Sequence, residues 1–207
     1  MKAKKFIKFI SVGLIILIAL SILAGCGNSG DSQGGGKFIA ELYPEYAPET
    51  VENFVKLVEE GFFDGLTFHR IVDGFMAQGG WLDANGVEKN TQSIYGEFAS
   101  NGFAQNTLKH TKGVISMART SDPNSASSQF FIMLANNSGL DGDYAAFGKV
   151  TEGMDVVEKL QKVERTMNSM REKATPVKPV VIKKATVLEK GDNPKIQFEM
   201  DNFEIKN

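Results

Sequence analysis

Two strand-like apolar runs, residues 68–80 and 128–133, carry polar side chains in their interiors, and this feature constrains the fold most. Arg70, Gln78 and Gln129 lie where a plain core strand would have apolar residues. An unpaired buried polar group costs roughly 1–3 kcal/mol, so these side chains need partners or a function. Arginine and glutamine among phenylalanine and methionine indicate a small apolar pocket with a few directed hydrogen-bond donors.

The sequence around these runs indicates non-covalent chemistry. It shows no metal-ligand set, paired carboxylates or nucleophile–base pair beside them. The two histidines, His69 and His110, have no cluster of cysteine or aspartate around them, which argues against a metal site.

The order of motifs in residues 37–188 is similar to that of the cyclophilin-type peptidyl-prolyl cis/trans isomerases. The motifs are FHRI, GFMAQGG, GEF, LKHTKGVISMART, SSQFFIML, LDG and FGKV. Several separate motifs in one order make the resemblance specific. It implies an enzyme without a cofactor or metal that acts as a monomer on proline-containing segments.

The resemblance also implies the site residues. Arg70 matches the family's catalytic arginine, which donates a hydrogen bond to the proline nitrogen of a twisted peptide bond. Phe75 and Gln78 complete the expected catalytic set. The positions expected to bind substrate are Met76, Ala118, Arg119, Gln129, Phe131, Leu140 and Tyr144. Without the motifs, Arg70 would be interpreted as a surface salt bridge and the apolar positions as plain core.

Other positions of the motifs are expected to be structural or depart from the family pattern. Isomerisation needs no base, so we expect His69 and His110 to be structural, with their ring nitrogens hydrogen-bonded. Gly139 and Tyr144 stand where the best-known eukaryotic members carry Trp and His, and Arg119 where the family often has Asn. The missing indole predicts weak binding of cyclosporin.

The N-terminus predicts export and a lipid anchor. Lysines at positions 2, 4, 5 and 8 precede an apolar run over 9–23, which is short for a membrane span of about 20 residues. The sequence LAGC at 23–26 resembles a bacterial lipobox, which implies a signal peptide over 1–25 and a lipid on Cys26. An ordinary signal peptide or an uncleaved anchor is the alternative. Cys26 is the single cysteine, so it has no disulfide partner within the chain.

Three segments are therefore expected: a signal peptide over 1–25, the lipidated Cys26 with a Gly/Ser-rich tether over 26–36, and an isomerase domain over 37–207. The leader contains four of the 23 Lys and Arg residues and none of the 25 acidic ones, so the mature chain carries a charge of −6. Nucleic-acid binding is disfavoured. The expected location is outside the cytoplasm, anchored to the bacterial cell membrane through the lipid.

The apolar patterns predict a mainly β fold. Helices are expected from about Pro48 to Gly61 and over 154–163. Short strands are expected over 37–42, 67–72, 75–78, 113–117, 129–134, 147–150 and 180–188. Together with the resemblance, this predicts a closed eight-stranded antiparallel barrel capped by two helices.

The two ends of the expected domain depart from the family order. The family's first strand is missing before Lys37, whereas residues 194–201 alternate apolar and polar as a half-buried strand does. This segment resembles the absent strand, so we expect a circularly permuted chain in which 195–200 lies antiparallel to 37–42 and pairs with 180–188. A disordered acidic tail is the alternative.

These observations predict a lipid-anchored isomerase that assists the folding of exported proteins. A second hypothesis is a chaperone or scaffold module that holds proline-containing segments with incidental turnover. A third, an inert surface lipoprotein, leaves the polar residues of the two strands unexplained.

Overall fold

A computed structural model describes residues 33–206 of the chain. These residues form an eight-stranded antiparallel sheet that curls around an apolar core, with two helices and a separate two-stranded hairpin. The predicted signal peptide 1–25 and the predicted lipid attachment site Cys26 lie outside the described residues. Within 33–206, no helix is long and apolar enough to cross a membrane.

The elements follow the sequence pattern closely. The helices are α1 (Pro48–Glu59) and α2 (Met154–Lys159). The strands of the large sheet are β1 (Gln33–Leu42), β2 (Leu66–Val72), β3 (Met76–Asp83), β4 (Val114–Met117), β5 (Phe130–Met133), β6 (Ala146–Glu152), β9 (Ile182–Glu189) and β10 (Lys195–Glu204). They are arranged in the order β2-β3-β5-β4-β6-β1-β10-β9. The hairpin consists of β7 (Arg165–Met167) and β8 (Lys173–Pro176).

The C-terminal strand lies where the sequence predicted it. β10 pairs antiparallel with β1 on one side and with β9 on the other. Ile196, Phe198 and Met200 are buried, whereas Gln197 and Glu199 on the other face are half-buried. The alternation of residues 195–200 therefore gives a strand of the main sheet, and the alternative of a disordered tail is wrong.

Strand β1 begins earlier than predicted, because part of the expected tether pairs with β10. Gln33 and Gly34 are in register with Glu204 and Phe203, and a bulge follows before Gly36. A side chain at Gly34 would collide with the Phe203 ring, since its Cβ would lie 2.0 Å from Phe203 Cε2. The glycines that suggested a tether thus permit the chain to pass closely over this ring.

The core is rich in phenylalanine and includes the C-terminal strand. The Phe38 and Phe198 rings stack with centroids 4.8 Å apart, which joins β1 to β10. Phe54 of helix α1 contacts the Phe130 and Phe198 rings at centroid distances of 5.3 and 6.4 Å. Helix α1 therefore packs against both β5, through Phe130, and β10, through Phe198.

A buried carboxylate holds the start of helix α1. Ala47 at the N-cap provides no side-chain hydrogen bond. Glu97 of the GEF motif accepts hydrogen bonds from the backbone N–H groups of Glu49 and Thr50 at 3.0 and 2.8 Å. A carboxylate here satisfies N–H groups that have no partner within the helix and interacts favourably with the helix dipole.

Two further local features differ from the sequence prediction. The second helix is α-helical only over Met154–Lys159 and continues as a 3-10 turn over Leu160–Lys162, just short of the predicted end at 163. The β7–β8 hairpin was not predicted. Its strands have three and four residues, and their mostly exposed side chains show no apolar alternation.

Candidate active site

One cavity of about 620 Å³ contains all ten residues that the sequence predicted for catalysis and substrate binding. Strands β2 and β3 provide Arg70, Met76 and Gln78, and Phe75 lies in the turn between them. The remaining walls come from β5 and the residue before it, from the segment after β4 and from the segment between β5 and β6. The residues there are Ala118, Arg119, Gln129, Phe131, Leu140 and Tyr144.

The polar side chains of the two apolar runs form one chain of hydrogen bonds. Arg70 and Gln78 are directly opposite each other on β2 and β3. Arg70 Nη1 donates to Gln78 Oε1 at 3.2 Å, and Gln78 Nε2 donates to Gln129 Oε1 at 2.9 Å. Arg70, Gln78 and Gln129 therefore satisfy one another, and all three line the cavity.

Arg70 has a second partner that the sequence did not predict. Its Nε and Nη2 donate to the two carboxylate oxygens of Glu172 at 2.9 and 2.7 Å. The hydrogen bonds from Arg70, followed by one from Asn168, lower the pKa of the Glu172 carboxyl to about 2. Arg70 is thus in an ion pair as well as in the cavity wall, where its side chain is 21% exposed.

The apolar wall of the cavity is a packed cluster distinct from the main core. Met76 and Phe131 are buried in it, and Phe75, Leu140 and Tyr144 are partly buried against them. The Phe131 and Tyr144 rings meet edge to face at a centroid distance of 5.8 Å. Such a wall offers a rigid apolar surface to a small ring such as the pyrrolidine of proline.

Ala118 and Arg119, directly after β4, form part of the cavity rim. The Ala118 N–H donates to the Gln129 carbonyl at 2.9 Å, which keeps this segment beside β5. The Arg119 guanidinium lies 4.7 Å from the centroid of the Tyr144 ring and donates to the Asp143 carbonyl from Nε and Nη2. The Arg119 side chain therefore packs on the Tyr144 ring and holds the backbone next to it.

His110 lies beneath the cavity wall, next to Phe131. Its side chain is buried, with Nδ1 3.1 Å from Asp141 Oδ1 and Nε2 3.0 Å from Ser116 Oγ. Burial lowers the pKa of His110 although Asp141 opposes this effect, so the imidazole is neutral at pH 7. Its ring stacks on Phe131 at a centroid distance of 6.1 Å. His110 is thus a hydrogen-bonded structural residue, as expected.

His69 differs from its expected role in two respects. It contributes to the cavity wall, and its Nδ1 is buried with no hydrogen-bond partner among the described residues. Its ring meets Trp81 edge to face at a centroid distance of 5.5 Å. Burial lowers the pKa of His69 to about 4, and the neighbouring charge of Arg70 acts in the same direction. The imidazole is therefore neutral at pH 7.

Seven further residues line the cavity that the sequence did not assign to it. They are His69, Trp81, Leu82, Asn168, Ser169, Met170 and Thr175. Four of them belong to the unpredicted β7–β8 hairpin or its turn, so no local pattern identified them. Among residues 33–206, no group of three or more His, Cys, Asp and Glu side chains is arranged to hold a metal ion.

Comparison with known proteins agrees with this geometry. A family model described as "Cyclophilin type peptidyl-prolyl cis-trans isomerase/CLD" matches residues 30–187. A peptidyl-prolyl cis-trans isomerase of Acinetobacter baylyi is 43% identical over 71% of this chain and 78% of its own length. Peptidyl-prolyl cis-trans isomerase B of Escherichia coli is 37% identical over 74% of this chain and 95% of its own length.

Solved structures show the same fold. A cyclophilin-type isomerase of Cryptosporidium parvum superposes with a TM-score of 0.55 and 25% identity, over 73% of this chain and 95% of that chain. A cyclophilin of Hirschia baltica gives a TM-score of 0.51 and 28% identity, over 74% of this chain and 73% of that chain. Sequence, relatives and fold agree, and the chain belongs to the family of cyclophilin-type peptidyl-prolyl cis-trans isomerases.

Proposed function

We propose that Arg70 is the catalytic residue of this isomerase and that Gln78 and Phe75 complete the catalytic set. Rotation about an X–Pro bond is opposed by a barrier of ∼18–20 kcal/mol, which arises from amide resonance. In the twisted state the proline nitrogen regains its lone pair and can accept a hydrogen bond. A guanidinium N–H directed at that nitrogen stabilises the twisted state alone and transfers no proton.

The chain of hydrogen bonds from Arg70 through Gln78 to Gln129 is the observation that carries this proposal. It holds Nη1 of Arg70 beside the apolar wall formed with Met76 and Phe131, where a prolyl ring would be held. Because the guanidinium is already held in place, it does not have to move as the peptide bond twists. Its hydrogen bond therefore lowers the free energy of the twisted transition state.

A protease-coupled assay with an Ala-Pro peptide tests the role of Arg70. Arg70→Ala should lower kcat/KM at least about tenfold, because a hydrogen bond to a charged group is worth roughly 1.5–3 kcal/mol and 1.36 kcal/mol is one decade. Arg70→Lys is the matched variant, since it keeps the charge without the planar fork. A folded Arg70→Ala protein that holds the peptide and keeps the full rate would contradict the proposal.

We also propose that the isomerase works on exported proteins at the outer face of the cytoplasmic membrane, anchored through a lipid on Cys26. The lipobox-like sequence before this single cysteine supports the proposal. The start of β1 at Gln33 is seven positions after Cys26, and a chain of that length reaches about 25 Å at most. The domain would therefore lie close to the membrane surface.

Labelling with radioactive or clickable palmitate tests the anchor. The full chain should incorporate the label and sediment with membranes, and Cys26→Ser should do neither. Mass spectrometry of an unmodified mature N-terminus at another position would contradict this location without affecting the role of Arg70.

For the architecture, we propose a closed barrel in a circularly permuted chain. Thr67 of β2 forms an isolated bridge with Val181, and the Phe68 N–H donates to the Val180 carbonyl at 2.9 Å. These contacts support closure between β2 and the segment leading into β9. The family match ends at residue 187, before β10, which supports an origin of β10 from the family's first strand.

A further inference from the structure

The guanidinium of Arg70 is held mainly by Glu172, a residue of the turn between β7 and β8. Two parallel hydrogen bonds of 2.9 and 2.7 Å join Arg70 Nε and Nη2 to the two oxygens of the Glu172 carboxylate. The remaining contacts of the guanidinium are longer: Nη1 lies 3.2 Å from Gln78 Oε1 and 3.7 Å from Met76 Sδ. A two-pronged pair fixes both the position and the plane of a guanidinium, which a single hydrogen bond does not.

The turn itself holds Glu172 in place. The Asn168 side-chain oxygen accepts hydrogen bonds from the backbone N–H groups of Met170 and Glu172 at 3.0 and 2.9 Å. The Asn168 side-chain nitrogen donates to Glu172 Oε2 at 2.8 Å. The carboxylate therefore has a fixed direction in addition to its ion pair.

We propose that Glu172 is a positioning residue for isomerisation, which sets the plane of the Arg70 guanidinium so that its free N–H groups face the proline nitrogen. Glu172 occupies Nε and Nη2, and Gln78 occupies one N–H of Nη1. Of the five guanidinium N–H groups, the second one on Nη2 remains for a substrate, and the second one on Nη1 has only the Met76 sulfur at 3.7 Å, which is a weak acceptor. This inference rests on the proposed role of Arg70.

A purely structural role would be to tie the hairpin to the sheet, and the chain offers a matched control for it. Arg165 of β7 donates from Nη2 to Asp73 Oδ2 at 2.6 Å, so a second ion pair joins the same hairpin to the turn after β2. Asp73 has no place among the cavity residues. Asp73→Asn therefore removes the charge of the Arg165–Asp73 ion pair, which holds the hairpin to the sheet, and leaves the contacts of the Arg70 guanidinium unchanged.

The test compares four variants of the full chain in detergent: Glu172→Ala, Glu172→Gln, Asp73→Asn, and Glu172→Ala combined with Arg70→Ala. Glu172→Ala should lower kcat and kcat/KM together by about tenfold, because the lost alignment matters in the transition state. Glu172→Gln keeps one acceptor oxygen and should lose less. Asp73→Asn should keep the full rate.

The double variant separates positioning from structure. If Glu172 acts through Arg70, removing it from the Arg70→Ala protein should cause no further loss of rate. NMR gives a second measurement: the Arg70 Nε–H should exchange slowly with water in the wild-type chain and in Asp73→Asn, but rapidly in Glu172→Ala.

Three results would overturn this inference: an unchanged rate in both Glu172 variants, an equal loss in Asp73→Asn, or a further loss in the double variant. If Arg70→Ala lowers the rate and both Glu172 variants keep the full rate, only the positioning role fails. Where Arg70→Ala itself keeps the full rate, the proposed role of Arg70 fails.

Discussion

The side-chain nitrogen of Gln78 donates to the side-chain oxygen of Gln129 over 2.9 Å, and this hydrogen bond decides which end of the Gln78 amide faces Arg70. With the nitrogen held by Gln129, the oxygen is presented to Arg70 Nη1. A reversed amide would place two donors against each other. Gln129 therefore acts on the guanidinium through Gln78.

The first prediction concerns Gln129. Gln129→Leu removes the acceptor and should lower kcat/KM about threefold to tenfold, since one net hydrogen bond contributes about 0.5–1.5 kcal/mol. Gln129→Glu keeps an acceptor for Gln78 Nε2 and should retain more activity than Gln129→Leu. The protease-coupled assay measures both. Equal activity in Gln129→Leu and the wild type would mean that Arg70 alone orients Gln78.

The second prediction is a loss of stability in mild acid through His69. Its folded-state pKa is about 4, below the ordinary 6.5, so the unfolded chain binds a proton first as the pH falls. Stability due to neutral His69 is complete above pH 6.5 and is lost as the pH falls towards 4. The free energy of unfolding that can be lost through His69 in this way is at most roughly 3 kcal/mol. His110, whose pKa is also lowered by burial, contributes with the same sign.

His69→Phe keeps an aromatic ring beside Trp81 and should flatten the dependence of the melting temperature on pH between 6.5 and 4. Trp81 is the only tryptophan and lies 5.5 Å from the His69 ring, so its fluorescence should be quenched as the imidazole is protonated. The midpoint is expected near pH 4. Quenching with a midpoint near 6.5, or an unchanged pH dependence in His69→Phe, would show that His69 is accessible to water.

The third prediction concerns the carboxylate at the start of helix α1. Glu97→Ala should leave the N–H groups of Glu49 and Thr50 without their acceptor. The expected loss is about 2–4 kcal/mol in the free energy of unfolding, measured by urea denaturation. Glu49→Gln is the control, because it changes an exposed acidic residue in the same turn and should cost less than about 0.5 kcal/mol. Equal losses in the free energy of unfolding for Glu97→Ala and Glu49→Gln would mean that only the helix dipole matters and that the two hydrogen bonds contribute nothing.

The fourth prediction concerns cyclosporin. Gly139 stands where the best-known eukaryotic cyclophilins carry Trp, so the wild-type chain should bind the drug more weakly than they do. A Cβ at Gly139 would lie 3.1 Å from Asn137 Oδ1, which also accepts a hydrogen bond from the Gly139 N–H, so a larger residue requires a small shift of Asn137. Gly139→Trp should tighten binding at least about tenfold, because an indole buries 150–250 Å².

Gly139→Phe is the matched variant, since it adds an aromatic wall without the indole N–H. Isothermal titration should rank the three chains as Trp, then Phe, then Gly. Nanomolar affinity of the unmodified chain for cyclosporin would show that this position matters little.

The site could be predicted from sequence to the extent that its residues lie in contiguous motifs. The runs 68–80 and 128–133 contain Arg70, Gln78 and Gln129 together with Phe75, Met76 and Phe131 of the apolar wall, and all six line one cavity. Glu172 could not be found in this way. It meets Arg70 across 102 residues, and its hairpin has neither an apolar period nor a motif.

The extent of β1 shows a similar limit. Gly34, Gly35 and Gly36 have the composition of a flexible linker, and nothing local to them indicates a strand. Their pairing is decided by Phe203 and the rest of β10, which lie at the other end of the chain. The alternation of residues 195–200, by contrast, is a local pattern, and it predicted both the strand and its buried face.

The fifth prediction is that β10 is essential for folding. It lies between β1 and β9, so deleting residues from 193 onward would open two sheet edges and expose the ring of Phe38. Phe198→Ala should cost about 3–5 kcal/mol, whereas Gln197→Ala on the other face of the strand should cost less than about 1 kcal/mol. The truncated chain should be unfolded or melt at a much lower temperature. A truncated chain with an unchanged melting temperature would show that β10 is only an extension.

Moving β10 tests the permutation directly. Residues 193–206 placed before Gln33 through a short turn would enter β1 antiparallel, because Lys195 through Glu204 already pair with Glu41 through Gln33 in that direction. Such a chain should recover the melting temperature and isomerase activity that the truncated chain loses. Recovery requires that the strand can form the same pairs from either end of the sequence. Failure of the rearranged chain to fold would mean that the connection from β9 to β10 is needed, and that the chain is not a simple permutation of the family fold.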